Sequence, residues 1–104
     1  MITGGGAESA KPDLNYSMKL FVSGGEINSL MAIENLACIC EAYLPRRHAI
    51  EIIDVTTDFE KALEFKVFIT PTLMLMAPQP KVTVYGNLAD SAKTIAALRL
   101  KSRP

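Results

Sequence analysis

The sequence predicts a small α/β sandwich whose elements follow one another in the order βαβαββα. Two apolar runs of strand length, at 16–22 and 49–55, flank a segment at 29–44 whose apolar residues recur at helical spacing. A proline-bearing apolar stretch, VFITPTLMLM at 67–76, then precedes a turn and a further short strand, KVTVY at 81–85. Strand–helix–strand first, and a hairpin afterwards, is the layout of a layered α/β domain.

Size and charge exclude several classes of protein. The chain has 104 residues, with eleven basic and eleven acidic side chains and a pI near 6.6. This size predicts one domain, and the balanced charge argues against a nucleic-acid partner. No apolar run has the length of a membrane span. We expect a disordered tail at 1–15, a single domain at 16–104, no membrane association and a cytoplasmic location.

The first half of the domain is expected to run strand, helix, strand. The strand YSMKLFV at 16–22 ends at a glycine turn, and Asn28 or Ser29 is a suitable cap for the helix at 29–44. At about 100° per residue, one stripe of that helix holds the predicted core side chains. They are Ile33, Leu36, Ala37, Cys40 and Leu44. The strand at 49–55 is apolar enough to be buried on both faces.

A short helix and the proline-bearing strand come next. Thr57 and Glu60 have the spacing of a capping box, which predicts a helix at 58–65. Pro71 cannot donate to a sheet ladder, so we expect it to stand at the start of a strand at 72–76. Between Thr70 and Thr72 it is a candidate for a cis peptide bond.

The last segment, 90–101, predicts a helix after the strand at 81–85 and a turn at Gly86-Asn87. Asp90 is suited to cap it, and most of its interior residues are strong helix formers. Its apolar side would hold Ala92, Ile95 and Leu98. The full order describes a thioredoxin-like sandwich.

A thioredoxin-like layout raises the question of redox activity. Paired thiols of such folds lie where the first strand meets the first helix, because the helix N-terminus stabilises a thiolate. Residues 24–28 hold no cysteine there, and the two cysteines, Cys38 and Cys40, fall in mid-helix about 200° apart. We interpret them as a surface thiol and a core thiol. The alternative function is a redox or stress-response protein that uses Cys38.

No other chemistry emerges from the sequence. His48 follows two arginines at a helix end, and Asp54, Asp58, Glu60 and Glu64 belong to a strand end and a capped helix. The sequence therefore predicts no metal, no cofactor and no enzymatic activity.

Several stretches together resemble the KaiB family of circadian clock proteins. They are MKLFVSGGEINS at 18–29, ENLACICEAYL at 34–44, EIIDV at 51–55, FITPTLMLMAPQP at 68–80 and YGNLAD at 85–90. The resemblance covers about residues 16–100.

The resemblance implies a non-enzymatic cytoplasmic module that docks on the hexameric ATPase KaiC and alters the output of a partner kinase. A clock-linked histidine kinase, whose input domain shares the fold, is a second implied partner. It also implies metamorphic behaviour, in which a tetramer of order βαββααβ interconverts with a thioredoxin-like binding form. Thr70, Pro71 and Thr72 fall in the half that changes, and Gly86 lies in the turn further along it.

The chain departs from the family at positions that affect both properties. Ala97 and Arg99 are helix formers where clock members tend to carry glycine and aspartate, which favours the thioredoxin-like form as a monomer or dimer. Lys66 matches a basic family position, whereas Asn87 replaces the aspartate of a Gly-Asp-Leu turn. We expect the partner surface to include Lys66, Pro71, Lys81 and Thr83.

Overall fold

A computed structural model describes residues 15–100, so the predicted tail lies, except for Asn15, outside the described residues. The element order is βαβαββα, as the sequence predicts. The elements are β1 (Tyr16–Val22), α1 (Ile27–Tyr43), β2 (His48–Asp54), α2 (Phe59–Glu64), β3 (Thr72–Ala77), β4 (Val82–Tyr85) and α3 (Ser91–Ala97). The helix predicted at the carboxyl end is therefore present, and the stretch from Thr72 is a strand.

Within residues 15–100, four strands form one sheet in the order β2-β1-β3-β4. β1 pairs in parallel with β2 and antiparallel with β3, which in turn pairs antiparallel with β4. The β1–β2 pair is joined through α1, as parallel neighbours require. β1 is therefore an inner strand, while β2 and β4 are the two edges.

The larger core lies between the sheet and the helices α1 and α3. Alternate side chains of β1 point into it, because successive residues of a strand face opposite sides. Leu98, just after α3, is fully buried in the same cluster. Its members are Met18, Leu20, Val22, Ala32, Leu36, Cys40, Leu44, Leu73, Leu75, Val84, Leu88 and Leu98.

The opposite face of the sheet carries a much smaller core. Phe21 is fully buried there with Ile53 and Val67, and half-buried Phe65 packs against them with its ring centroid 5.8 Å from that of Phe21. Helix α2 has six residues and buries only Ala62. This face is therefore only partly covered.

Pro71 immediately precedes β3, as predicted, and is buried. The Thr70–Pro71 peptide bond is cis. The Pro71 carbonyl accepts a hydrogen bond of 3.0 Å from the amide of Gly86, whose φ of 103° suits glycine. Pro71 therefore accepts a hydrogen bond through its carbonyl, and its missing N–H leaves no gap because no ladder donor is needed at this position.

Two predictions about the first helix were wrong. The helix begins at Ile27, and its cap is Glu26, whose carboxylate accepts from the Ser29 amide at 3.1 Å. Neither Asn28 nor Ser29 is the cap, since both lie inside the helix. Ala37, which the predicted core stripe included, is exposed. The rest of that stripe is buried or half-buried.

The second strand and the second helix also differ from expectation. β2 is mostly exposed or half-buried rather than buried on both faces, because it is an edge strand. The capping box predicted from Thr57 and Glu60 is wrong: Asp58 is the cap residue, and the Thr57 hydroxyl donates instead to the Asp54 carbonyl at 3.2 Å.

The last helix is shorter than predicted, because Arg99 terminates it. Arg99 has a φ of 59°, its amide donates to the Ala96 carbonyl, and the Leu100 amide donates to the Ile95 carbonyl, both at 3.0 Å. This pair of bonds is a Schellman motif. Arg99 therefore does not act as a helix former. Ala92, predicted on the apolar side, is exposed.

We expect Ala97→Gly and Arg99→Gly to affect stability in opposite directions. Glycine in the helix lowers the free energy of unfolding by up to about 1 kcal/mol. Glycine at the left-handed position relieves a backbone cost of about 1–2 kcal/mol. The exposed hydrogen bonds that the Arg99 guanidinium donates to the Pro78 and Pro80 carbonyls compete with water and contribute less, so the substitution raises stability. Urea denaturation followed by circular dichroism measures both variants. An equal loss in the two would show that the helix continues through Arg99.

Candidate functional site

The carboxyl ends of β1 and β2 meet at one edge of the domain, where the turn into α1 begins. Gly24 lies in that turn with a φ of 47°, a conformation that glycine adopts without the penalty of a side chain. Its amide donates to Asp54 Oδ1 at 3.1 Å. The turn after β1 is thereby tied to the end of β2.

Asp54 is committed to this structural role. Its Oδ1 also accepts from the Thr56 hydroxyl at 2.6 Å and from the Thr56 amide at 2.9 Å. The hydrogen bond from the Thr56 hydroxyl, followed by those from the amides of Thr56 and Gly24, lowers the pKa of Asp54. Between residues 15 and 100, no three His, Cys, Asp or Glu side chains are grouped closely enough to hold a metal ion.

Three hydroxyl groups connect α1 with the loop that precedes β3. Ser29 is fully buried, and its Oγ accepts from the Ser23 amide at 2.9 Å. The Ser23 and Thr70 hydroxyl oxygens lie 2.7 Å apart in a second hydrogen bond. These bonds fix the position of Thr70 and of the proline that follows it.

A pocket of about 300 Å³ opens between α2 and this loop. It is mostly apolar, with the hydroxyl groups of Ser23 and Thr70 as its polar part. The lining residues are Ser23, Val55, Phe59, Ala62, Leu63, Val67, Phe68 and Thr70. Pockets that bind ligands or partner side chains commonly combine apolar walls with a few polar groups.

Large apolar side chains that line the pocket or follow its lining residues in the chain are open to solvent. Phe59, Leu63, Phe68 and Ile69 are all more than half exposed, and Phe68 reaches 80%. We call these four residues the α2 surface. A contiguous exposed apolar surface of this kind is typical of a protein–protein contact.

Lys66 lies between the helix and the exposed loop. It has a φ of 58°, its amide donates to the Leu63 carbonyl at 3.1 Å, and the Val67 amide donates to the Ala62 carbonyl at 2.9 Å. α2 therefore ends in the same Schellman motif as α3. This turn directs the chain towards Phe68 and Ile69, and Lys66 itself is exposed.

The four predicted partner residues are not all brought to one place. Lys66 adjoins the α2 surface in the chain, and buried Pro71 offers no exposed side chain to a partner. Lys81 and Thr83 are exposed at the edge strand β4, on a different element. That Lys66, Pro71, Lys81 and Thr83 contact a partner stays a prediction.

Sequence reasoning missed the α2 surface. Its signal was present, since Phe59 and Leu63 lie on one side of a short helix and two further large apolar residues, Phe68 and Ile69, follow its end. Large apolar residues are commonly assigned to a core by default, and only the sheet order shows that little core exists on this side.

The two thiols lie on different sides of α1. Cys38 is exposed and Cys40 is buried, as predicted, and both are free. Burial, with a smaller contribution from Glu41, raises the pKa of Cys40 to about 11. A thiol with a raised pKa is a poor nucleophile at neutral pH.

The geometry defines a thioredoxin-like α/β protein that has no cysteine at the start of α1 and that exposes an apolar surface beside α2. Among solved structures it is similar to mitochondrial thioredoxin 3 from Saccharomyces cerevisiae, with a TM-score of 0.66, 18% identity and coverage of 84% of this chain and 80% of that one. It is also similar to the N-terminal domain of SasA from Synechococcus elongatus, with a TM-score of 0.62, 19% identity and coverage of 92% and 94%.

Sequence comparison gives the family. Residues 19–100 match the KaiB domain. The circadian clock oscillator protein KaiB of Synechococcus elongatus is 35% identical over 89 residues, which are 86% of this chain and 87% of that protein. The circadian clock protein KaiB3 of Synechocystis sp. is 32% identical over 81 residues, 78% and 79% of the two chains. The chain belongs to the KaiB family.

No helix within residues 15–100 is both long and apolar enough to cross a membrane.

We expect Asp54→Ala to lower the melting temperature at neutral pH, because the amides of Gly24 and Thr56 lose their acceptor. A lowered folded-state pKa contributes stability above the ordinary value of 3.8 that disappears as the pH falls through the folded value. The difference in melting temperature between wild type and Asp54→Ala should therefore become smaller as the pH falls. Thermal melts from pH 7 to pH 2.5 measure this, and a difference that is constant over that range would contradict the role of the carboxylate.

Proposed function

We propose that this chain is a non-enzymatic cytoplasmic regulatory protein of the KaiB type. In this proposal the α2 surface docks on a KaiC-like hexameric ATPase and modulates a circadian clock or a related signalling or stress output. Membership of the KaiB family and the similarity to the SasA N-terminal domain support a clock-related role. The exposed apolar surface beside α2 is the observation that carries the docking.

The α2 surface has the features of a binding hot spot. Phe68 and Phe59 are large aromatic side chains that would lose most of their exposure in a complex. The adjoining pocket of about 300 Å³ can accept an apolar side chain of the partner. Aromatic anchors beside a preformed pocket contribute a large share of the binding energy at many interfaces.

The loop that carries half of this surface is already held in place. The hydrogen bonds among Ser23, Ser29 and Thr70 anchor its far end, and the Schellman turn at Lys66 fixes its near end. A surface held in its bound conformation loses less conformational entropy on binding. The exposed charge of Lys66 adds an electrostatic contact for an acidic group at the rim.

Fold switching would act directly on this surface. In the alternative order βαββααβ that the family resemblance implies, a strand follows the second strand where this chain has α2. That change would dismantle the helix that carries Phe59 and Leu63. The thioredoxin-like arrangement is thus the binding-competent one in this proposal, and its dominance in this chain would favour constitutive binding over a slow switch.

The proposal also covers the second implied partner. A clock-linked histidine kinase whose input domain shares this fold would present a comparable surface to the same ATPase. Two domains of one fold that bind one site exclude each other, so this chain would lower the occupancy of the kinase on the ATPase.

We expect the purified chain to co-elute with a KaiC-type hexameric ATPase of the same organism in the presence of ATP. Leu63→Ala should weaken binding by about tenfold, since it truncates an anchor of the α2 surface. Isothermal titration calorimetry measures the dissociation constants. Leu30→Ala is the matched control, because Leu30 is also a leucine of similar exposure, 49% against 52%, and lies on α1.

In the same assay, Lys66→Gly measures what the charge of Lys66 contributes to binding, separately from the conformation of the turn. Glycine accepts the φ of 58°, so the turn is retained while the charge is removed. Its effect on binding should decrease as salt rises. Absence of a complex at tens of micromolar, or equal weakening by Leu63→Ala and Leu30→Ala, would contradict the proposal.

A further inference from the structure

The two edges of the sheet are built differently. β4 has four residues, and so short an edge strand discourages a further strand. β2 has seven residues, His48–Asp54, and neither edge strand contains a proline or a lysine. Prolines and basic residues precede both strands in the chain, so length is what distinguishes the two edges. An unpaired edge of seven residues is a template for another strand.

The hydrogen-bond phase of β2 shows which groups are available. The Tyr16 amide donates to the Arg47 carbonyl at 2.8 Å, and the Val55 amide donates to the Val22 carbonyl at 2.9 Å. In a parallel ladder these two bonds mean that the amides and carbonyls of the odd-numbered residues of β2 point towards β1. The amides and carbonyls of Ile50 and Ile52 therefore point away from the sheet.

The side chains of this edge are self-complementary. His48, Ile50, Ile52 and Asp54 lie on one face of the strand. When a second copy is placed antiparallel with its two-fold axis at Glu51, Ile50 lies opposite Ile52 on both sides of the axis. His48 then lies opposite Asp54, so the imidazole of one copy faces the carboxylate of the other at each end.

The other face of the strand places Glu51 opposite its own copy. Like charges directly opposite one another destabilise a pair of strands. In each copy, however, Glu51 Oε1 lies 2.6 Å from Lys19 Nζ. Across the axis the four charges then lie in the order lysine, glutamate, glutamate, lysine, so each Glu51 carboxylate at the centre is offset by the lysine of its own copy.

We propose that β2 forms a symmetric antiparallel pair with β2 of a second copy of this chain. The two four-stranded sheets join into one continuous sheet. Ile50 of one copy and Ile52 of the other exchange both backbone hydrogen bonds on each side of the axis. The non-hydrogen-bonded pair at the centre is Glu51 with Glu51.

Sedimentation velocity from about 10 µM to about 1 mM tests the association. The expected result is a shift from one chain of 11.3 kDa to twice that mass as the concentration rises. Ile52→Lys should shift the dissociation constant by at least about tenfold, because it puts a charge among the isoleucines. Thr83→Lys, an exposed change on the opposite edge, is the matched control and should leave association unchanged.

Hydrogen exchange followed by nuclear magnetic resonance tests the same pairing without a variant. The amides of Ile50 and Ile52 should become protected as the concentration rises. The amides of Ala49, Glu51 and Ile53 are bonded to β1 already and should not change. This alternation distinguishes strand pairing from association through any other surface.

Oxidative cross-linking tests the register. In a Cys38→Ser background, Glu51→Cys should form an intermolecular disulfide, since the central pair brings the two residues closest together. Thr83→Cys should not. A single chain at about 1 mM, concentration-independent exchange at Ile50 and Ile52, or equal weakening by Ile52→Lys and Thr83→Lys would overturn the proposal. Association without the Glu51→Cys cross-link would overturn the register.

Discussion

The structure depends on burying one apolar face of the sheet, the face that β1 and β3 share. Leu20 and Leu73 lie fully buried on it, and two helices are needed to cover it. α1 supplies part of the cover, and the carboxyl-terminal segment supplies the rest by coiling into α3 and placing Leu98 in the core. Residues 91–98 can fill this position only as a helix, because that arrangement brings Thr94 and Leu98 to the same side one turn apart. The thioredoxin-like order follows from this packing.

The opposite face of the sheet is only partly covered. The α2 surface lies on that face, and the proposed β2 contact lies at the edge of the sheet. One short helix covers Phe21 and little else. Phe59, Leu63 and Phe68 therefore stay exposed to water, which is unfavourable for large apolar side chains and typical of an interaction surface. The loop beside them is fixed by hydrogen bonds rather than by burial. A rigid apolar surface on a small domain is well suited to repeated, reversible docking.

Local patterns in the sequence predicted the order of the elements, the position of Pro71 before β3 and the different environments of Cys38 and Cys40. These features depend on periodicity and on the backbone chemistry of single residues. The failures have a different origin. β2 was predicted to be buried because its sequence is apolar, but sheet order alone decides which strand lies at an edge. The helix propensity of Arg99 has no effect, because its position one residue beyond the cap gives it a left-handed backbone. The α2 surface was missed because exposure of large apolar residues depends on how much sheet their helix can cover.

The central claim is that the carboxyl-terminal segment is helical while the stretch from Thr72 is extended, and assigned backbone chemical shifts test it most directly. The account predicts helical carbon shifts throughout Ser91–Ala97, a break at Arg99, and strand shifts throughout Thr72–Ala77 as the major set of signals in solution. Strand shifts in the final segment, with helical shifts after Thr72, would contradict it. The alternative family arrangement would then be the ground state, and the α2 surface would exist only in a minor form.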